Sequence, residues 1–172
     1  WIPTNSDQNL VMVDKGKQIN RFMADGASRS FNGVTVIHEL EPDRFLFGTL
    51  SDSLYLYNIK KETVRNLTSE LQPNPQFEKL GNITVVTQDE EGYIWIATNK
   101  NGLYRLNRNL KLAKHYQKED GLSDSYINSL TIDRHQNIWV TTGKSLYKLD
   151  RTTDTFSEMK IADIPAMEFT RF

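Results

Sequence analysis

Few side chains in this sequence have the type and spacing for covalent chemistry. The three histidines, His38, His115 and His135, are scattered and form no metal-ligand spacing. There is no cysteine, which removes a thiolate nucleophile, thiolate metal sites and a disulfide framework. The acidic stretches DEEG (89–92) and DRHQ (133–136) lack the alternating Asp/Asn run with Gly and terminal Glu of a calcium loop. No catalytic residue, metal site or cofactor is therefore assigned, and the chain is expected not to be an enzyme. What the side chains could do is bind. Trp95 and Trp139 have the flat apolar face that stacks on the C–H face of a pyranose, and Tyr55, Tyr104 and Tyr147 are further large aromatics. Arg29, Asn99, Lys100, Tyr126 and Lys144 carry donors or rings suited to an acidic or neutral oligosaccharide. Which of them do so depends on the elements that place them.

Those elements repeat. The phrases WIPTNSDQNLVMVD (1–14), RFLFGTLSDSLYLYN (44–58), GYIWIATNKNGLYRLN (92–107) and NIWVTTGKSLYKLD (137–150) align on Thr4, Thr49, Thr98 and Thr142. A bulky residue stands three positions before each Thr, namely Trp1, Leu46, Trp95 and Trp139, at spacings of 45, 49 and 44 residues. Self-similarity at ~40 to 50 residues marks one supersecondary unit used repeatedly. Within residues 82–116 the unit reads as four short strands: NITVVT (82–87), YIWIAT (93–98), LYRLN (103–107) and LKLAKHY (110–116), joined by polar turns. Connections so short permit only antiparallel neighbours. Strands such as YIWIAT are apolar at nearly successive positions, which implies cover on both faces of the sheet. A two-sided four-stranded meander repeated every ~45 residues is a blade between like blades, so the expected fold is an all-β propeller of about four blades.

The expected boundaries are a partial blade at 1–22, blades at 34–67, 83–116 and 127–160, and at 164–172 the start of a further blade or a closing strand. Residues 59–71 have some helical character, with Ile59, Leu67 and Leu71 able to share a face, but their place in the repeat makes TVRNL (63–67) the outermost strand. The stretch 72–76 is then a loop, since Pro73 and Pro75 cannot sit in a central strand. The recurring Trp and Tyr positions are expected to pack between blades rather than meet ligand. In the corner Gly121-Leu122-Ser123 the glycine is expected to supply a turn conformation and the serine a local backbone hydrogen bond.

Composition excludes other classes. With 21 Lys+Arg against 22 Asp+Glu the net charge is −1, and the basic residues form no stripe, so no nucleic-acid partner is expected. There is no run of ~18 apolar residues and no secretory signal pattern at the start.

EDGLSDSYINSLTIDRHQNIWVTTGKSLYKLD (119–150) resembles the two-component regulator propeller repeat, whose pattern is a Gly-Leu-Ser corner, an inner strand, an Asp-rich turn, then Ile-Trp-Ile-Gly-Thr and Gly-Leu-Tyr-Arg-Leu-Asp. Residues 83–107 match almost as well, while 1–14 and 34–58 are weaker copies, with Leu46 in place of Trp and Pro3 where Gly is favoured. The resemblance implies the periplasmic ligand-sensing region of a hybrid two-component histidine kinase of Bacteroides type, associated with glycan fragments and joined to the membrane only through a parent protein. Two alternatives remain: a non-enzymatic protein-interaction scaffold, and a propeller lyase. The lyase would need a His and Glu cluster on the converging loops, and those loops hold no histidine.

Ligand contacts are expected where outer-to-inner connections (about 23–33, 68–82 and 117–126) meet the second-to-third strand turns (5–9, 50–53, 99–102 and 143–145). The partners expected are an oligosaccharide, the remaining blades of the parent chain and further copies of the chain itself. The chain enters at a second strand and ends where a further inner strand is due, either as a closed four-bladed ring or as an open arc of a larger one. The arc is favoured, and its bare apolar flanks around Trp1 and Met167 predict self-association, because large exposed apolar patches drive it. Sedimentation of the isolated chain should show oligomers, and a compact protease-resistant monomer would favour the ring.

Overall fold

The structure is a computed structural model and describes residues 2–3, 10–14, 17–19, 33–50, 52–75, 77 and 79–160. In chain order the strands are β1 (Ile2–Pro3), β2 (Leu10–Asp14), β3 (Lys17–Ile19), β4 (Val34–Glu41), β5 (Arg44–Thr49), β6 (Leu54–Asn58) and β7 (Thr63–Asn66). A short helix α1 (Leu67–Leu71) follows, then β8 (Ile83–Gln88), β9 (Ile94–Thr98), β10 (Leu103–Leu106), β11 (Leu112–Tyr116), β12 (Ile127–Ile132), β13 (Ile138–Thr142), β14 (Leu146–Asp150) and β15 (Thr155–Met159). They form a three-stranded sheet β1-β2-β3 and three four-stranded meanders, β4–β7, β8–β11 and β12–β15, each in sequence order and antiparallel throughout. The all-β blades expected from the repeat are thus present. Trp1 and the segments 20–32 and 161–172 lie outside the described residues.

Two of the signature residues owe their recurrence to turn chemistry. The threonine that ends β5, β9 and β13 is buried and closes the next turn with its hydroxyl. Thr49 Oγ1 donates to the Ser53 carbonyl at 3.0 Å, Thr98 Oγ1 donates to the Gly102 carbonyl at 2.9 Å, and Thr142 Oγ1 accepts from the Lys144 amide at 3.2 Å. The bulky residue three positions earlier is held by an aspartate six positions before it. Trp95 Nε1 donates to Asp89 Oδ2 at 2.9 Å, and Trp139 Nε1 donates to Asp133 Oδ2 at 2.8 Å. The other oxygen of each carboxylate takes backbone N–H groups of the same turn, from Tyr93 in one blade and from His135 and Asn137 in the other. A buried indole N–H needs such a partner. Where Leu46 replaces Trp the partner is gone too, since Leu40 stands in the Asp position.

Side chains alternate across each strand, and both faces find cover. β9 is buried at all five positions. From β5 and β6, Leu46, Leu54 and Leu56 point into one cluster with Ile94, Ile96, Tyr104 and Leu110 of the next sheet. From the other side of β9 and β10, Trp95, Ala97 and Leu103 join Leu130, Val140, Tyr147 and Phe156 of the sheet after that. Phe47 and Tyr57, with Phe45 and Tyr55 against them, line the opposite face of β5 and β6. Near the axis the inner strands are tied by hydroxyls: Thr35 Oγ1 donates to the Ile83 carbonyl at 2.7 Å and Thr84 Oγ1 to the Ile127 carbonyl at 3.2 Å. These are successive uses of the second inner-strand position, and they explain why polar residues belong there.

The outer part of the last interface is charged. Arg105 on β10 makes a two-pronged pair with Asp154 at 2.9 and 3.1 Å, Tyr116 Oη donates to Asp154 Oδ1 at 2.7 Å, and Lys114 Nζ donates to the Asp154 carbonyl at 2.6 Å. Burial works against the Asp154 charge, but the hydrogen bonds from Tyr116 and Arg105 and the nearby cations outweigh it and hold the carboxyl below its usual value. Burial, then the bond to Asp154, pushes the Tyr116 hydroxyl above the usual phenol range. The Trp139 indole and Asn137 hold the Asp133 carboxyl well below the usual carboxylate range.

Three expectations need correction. Leu67 is not strand: β7 ends at Asn66, whose Oδ1 accepts from the Ser69 amide at 3.1 Å and caps α1, while Leu67 and Leu71 are buried one helical turn apart. Leu110 is not strand either, because it takes φ 61° in the turn before β11 and is buried against β4–β7. Trp95 is core at 1% exposure, whereas Trp139, in the same strand position, is only half-buried. The difference is one of neighbours, since Trp95 has a sheet on both sides and Trp139 looks away from the other described sheets.

Trp95→Ala should therefore destabilise the fold by about 3 to 5 kcal/mol, and Trp139→Ala by clearly less, as read from urea unfolding. Acidification should act in two stages. Burial of His38 lowers its pKa, so its contribution is full above the unfolded value of about 6.5 and is lost as pH falls from there toward the folded value. Asp133 and Asp154, both lowered, contribute fully above about 3.9 and lose that contribution as pH falls below it. Urea midpoints should follow this course, with His38→Gln removing the upper stage.

Candidate functional site

In an antiparallel meander the end of the second strand, the start of the third, the end of the fourth and the start of the first all lie at one end of the blade. The second-to-third turns and the outer-to-inner connections therefore share a loop end. Sixteen residues separate β7 from β8 (83 − 66 − 1), but only ten separate β11 from β12 (127 − 116 − 1). The surplus is spent on α1 and the loop after it. Thr68 Oγ1 accepts from the Leu54 amide at 2.8 Å, Asn74 N–H donates to the Leu71 carbonyl and Phe77 N–H to the Asn74 carbonyl, both at 2.9 Å. Further on, the Asn101 side-chain amide donates to the Lys79 carbonyl and anchors the loop to the next blade.

Between this connection and the β5–β6 turn lies a cavity of about 330 Å³, lined by Asp52, Asn66, Ser69, Gln72, Phe77 and Lys79 among others. Phe77 is part-buried and supported by the Tyr104 ring at 5.7 Å between centroids. Around it stand amides and a hydroxyl, and Lys79 pairs with Asp52 at one edge. Arg65 and Glu70 pair beside α1, and the Arg65 hydrogen bonds hold the Glu70 carboxyl below its usual value. Among the described residues the arrangement sets no nucleophile against a base. It does have an aromatic ring among hydroxyl and amide groups with the Lys79–Asp52 pair at one edge, a composition suited to a polar ligand.

The residues singled out by sequence are distributed as follows. Asn99 and Lys100 lie in the β9–β10 turn against the same connection: a Cβ on Gly81 would stand 3.5 Å from Lys100 Cβ and 3.9 Å from Asn99 Oδ1. That Asn99 oxygen is buried and has no hydrogen-bond partner among the described residues. Tyr126, 49% exposed, and Lys144, exposed, sit at the same loop end but on the last blade and do not line the cavity. Arg29 lies outside the described residues. Trp95, Tyr104 and Tyr147 are buried and present no ring to solvent, while Tyr55 is half-buried. Ser123 does not bond local backbone; its hydroxyl meets the Tyr147 hydroxyl, 24 residues away, because the corner folds over the next blade face. Gly121 does supply the turn, at φ 94°, where a Cβ would collide with the Phe156 carbonyl. Phe77 and the groups on α1 were missed by the repeat comparison, because they belong to a connection six residues longer than the one between β11 and β12. The length of the connection was the available signal.

Comparison with known proteins agrees with this architecture. The sequence pattern of the two component regulator propeller family matches residues 79–100 and 121–144. No curated protein matches the chain. Among solved structures, the chain is similar to the extracellular domain of BT3049 from B. thetaiotaomicron, described as a hybrid two component system, with TM-score 0.71 and 18% identity over 93% of this chain and 21% of that one. The extracellular domain of BT4673 from the same organism, described likewise, gives TM-score 0.65 and 17% identity over 90% of this chain and 22% of that one. The WD40 β-propeller domain of Doa1 gives TM-score 0.56 at 7% identity, over 74% of this chain and 40% of that one. The chain spans about a fifth of the length of the two B. thetaiotaomicron domains. Two of its segments match the two component regulator propeller pattern, and its fold is that of a β-propeller.

Proposed function

We propose that the chain is a ligand-sensing part of a hybrid two-component sensor, that it lies on the periplasmic side of the membrane, and that its loop end takes a glycan fragment. The observation that carries this reading is the cavity over Phe77, an aromatic surface ringed by Asn66, Ser69 and Gln72 at the end of the blades where connections converge. Neutral amide and hydroxyl groups suit sugar hydroxyls, and the ring suits the apolar face of a pyranose. The repeats point the same way, as does likeness to extracellular domains of proteins described as hybrid two component systems. Among the described residues no helix is long and apolar enough to cross a membrane. The reading is non-enzymatic: the site holds, and a kinase elsewhere in a parent protein acts.

Calorimetric titration with a panel of neutral and acidic oligosaccharides tests this. A member of the panel should bind, Phe77→Ala should weaken it about tenfold, or about 1.4 kcal/mol, and Tyr126→Ala should leave it unchanged. Binding that survives Phe77→Ala moves the site to another part of the loop end. A panel with no binder contradicts the sensor reading and leaves a scaffold propeller in its place.

A further inference from the structure

In the three four-stranded sheets the third-to-fourth strand turn holds a residue with left-handed backbone: Glu62 at φ 52°, Leu110 at φ 61° and Asp154 at φ 54°. In the two turns whose surroundings are described, that residue reaches back to the preceding sheet. Leu110 enters the cluster that holds Leu56 of β6. Asp154 meets Arg105 of β10. Leu56 and Arg105 occupy one repeat position, each paired across the ladder with the bulky residue of the second strand, Leu46 and Trp95 respectively. The two interfaces therefore use the same pair of positions with matched chemistry, apolar to apolar in one and cation to carboxylate in the other. Crossing them would leave a part-buried guanidinium or carboxylate without its partner, the costly way to break such a pair.

The third occurrence of the position is Lys148, paired across the ladder with Trp139. Its ammonium lies 5.3 Å from the Trp139 ring centre, much as the Arg105 guanidinium lies 5.4 Å from that of Trp95. Trp139 is held by Asp133 as Trp95 is by Asp89. One half of the charged interface is thus assembled on the far face of β12–β15, and among the described residues no carboxylate pairs with Lys148. We propose that this face docks a further blade of the same repeat type, and that Lys148 selects one bearing Asp or Glu at the left-handed position of its third-to-fourth strand turn. A second copy of this chain fits less well, since the sequence between its β2 and β3, Lys15-Gly16, offers no carboxylate.

The test is a pair of double-mutant cycles read as urea midpoints. In the full chain, Arg105→Leu and Asp154→Leu should each lower the midpoint, and the double variant should recover part of the loss, since Leu against Leu serves the neighbouring interface. In a chain extended after Lys160 by a second copy of residues 117–160, the partners are Lys148 of the original blade and the appended counterpart of Asp154. The Lys–Asp and Leu–Leu combinations should have higher midpoints than either crossed combination, with amides of β13 exchanging more slowly than in the unextended chain. Additive effects in the first cycle overturn the pairing rule. Additive effects in the second, or an appended copy that exchanges like unfolded chain in all four proteins, overturn the docking proposal.

Discussion

β9, Ile94–Thr98, is buried at every position, so its sheet needs cover on two sides at once. A lone four-stranded meander cannot supply that, and the cover comes from sheets of like design on either side. Face-to-face stacking of equivalent sheets sets most of what else the sequence must do. It demands bulky side chains at a fixed strand position, short turns that do not obstruct the neighbour, and a way to satisfy the polar atoms that the stacking takes out of water. The Asp89–Trp95 and Asp133–Trp139 bonds answer the last demand, since each lets a large indole be packed without leaving its N–H unpaired. The Leu40 and Leu46 pair shows the other solution, in which both polar partners are dispensed with together.

The interfaces differ in character along the chain. Between β4–β7 and β8–β11 the outer part of the contact is apolar, closed by Leu110. Between β8–β11 and β12–β15 an apolar interior around Trp95 gives way outward to Arg105, Lys114, Tyr116 and Asp154, with the Arg105 guanidinium within about 5.5 Å of three aromatic ring centres. A repeat array whose interfaces were all alike would let blades stack in any order. Position-specific pairs make each sheet prefer its own neighbour, which is a form of specificity by mismatch.

Much of this was legible in the sequence, because the constraint is periodic and the residues serving it recur. The three threonines mark the ends of β5, β9 and β13, and their hydroxyls do the same turn-closing work each time, so aligning them aligned the strands. The inner strand read at 82–87 runs from Ile83 to Gln88. What could not be read is what departs from the period. α1 replaces the end of an outer strand because Asn66 caps it, Thr68 takes the Leu54 amide of β6, and Leu67 and Leu71 find burial a turn apart. Leu110 looked like strand by hydropathy, but the left-handed turn takes it, and its apolar side chain serves the neighbouring sheet. The cavity over Phe77 lies in the long β7–β8 connection, and the partners that define it come from the β5–β6 turn and from β10. Of the binding residues named from sequence, Asn99 and Lys100 adjoin that connection through Gly81, while Tyr126 and Lys144 do not line its cavity.

The central claim is that stacking between like sheets, rather than the repeat sequence in itself, holds each blade. β9 and β13 test it well, being IWIAT and IWVTT in equivalent positions, the first with described sheets on both sides and the second on one. Hydrogen exchange of the intact chain, resolved to these two strands, is the direct measurement. The account predicts that β9 amides exchange markedly more slowly than those of β13, because opening β9 must disrupt two interfaces. Equal protection of the two strands, or greater protection of β13, would contradict it.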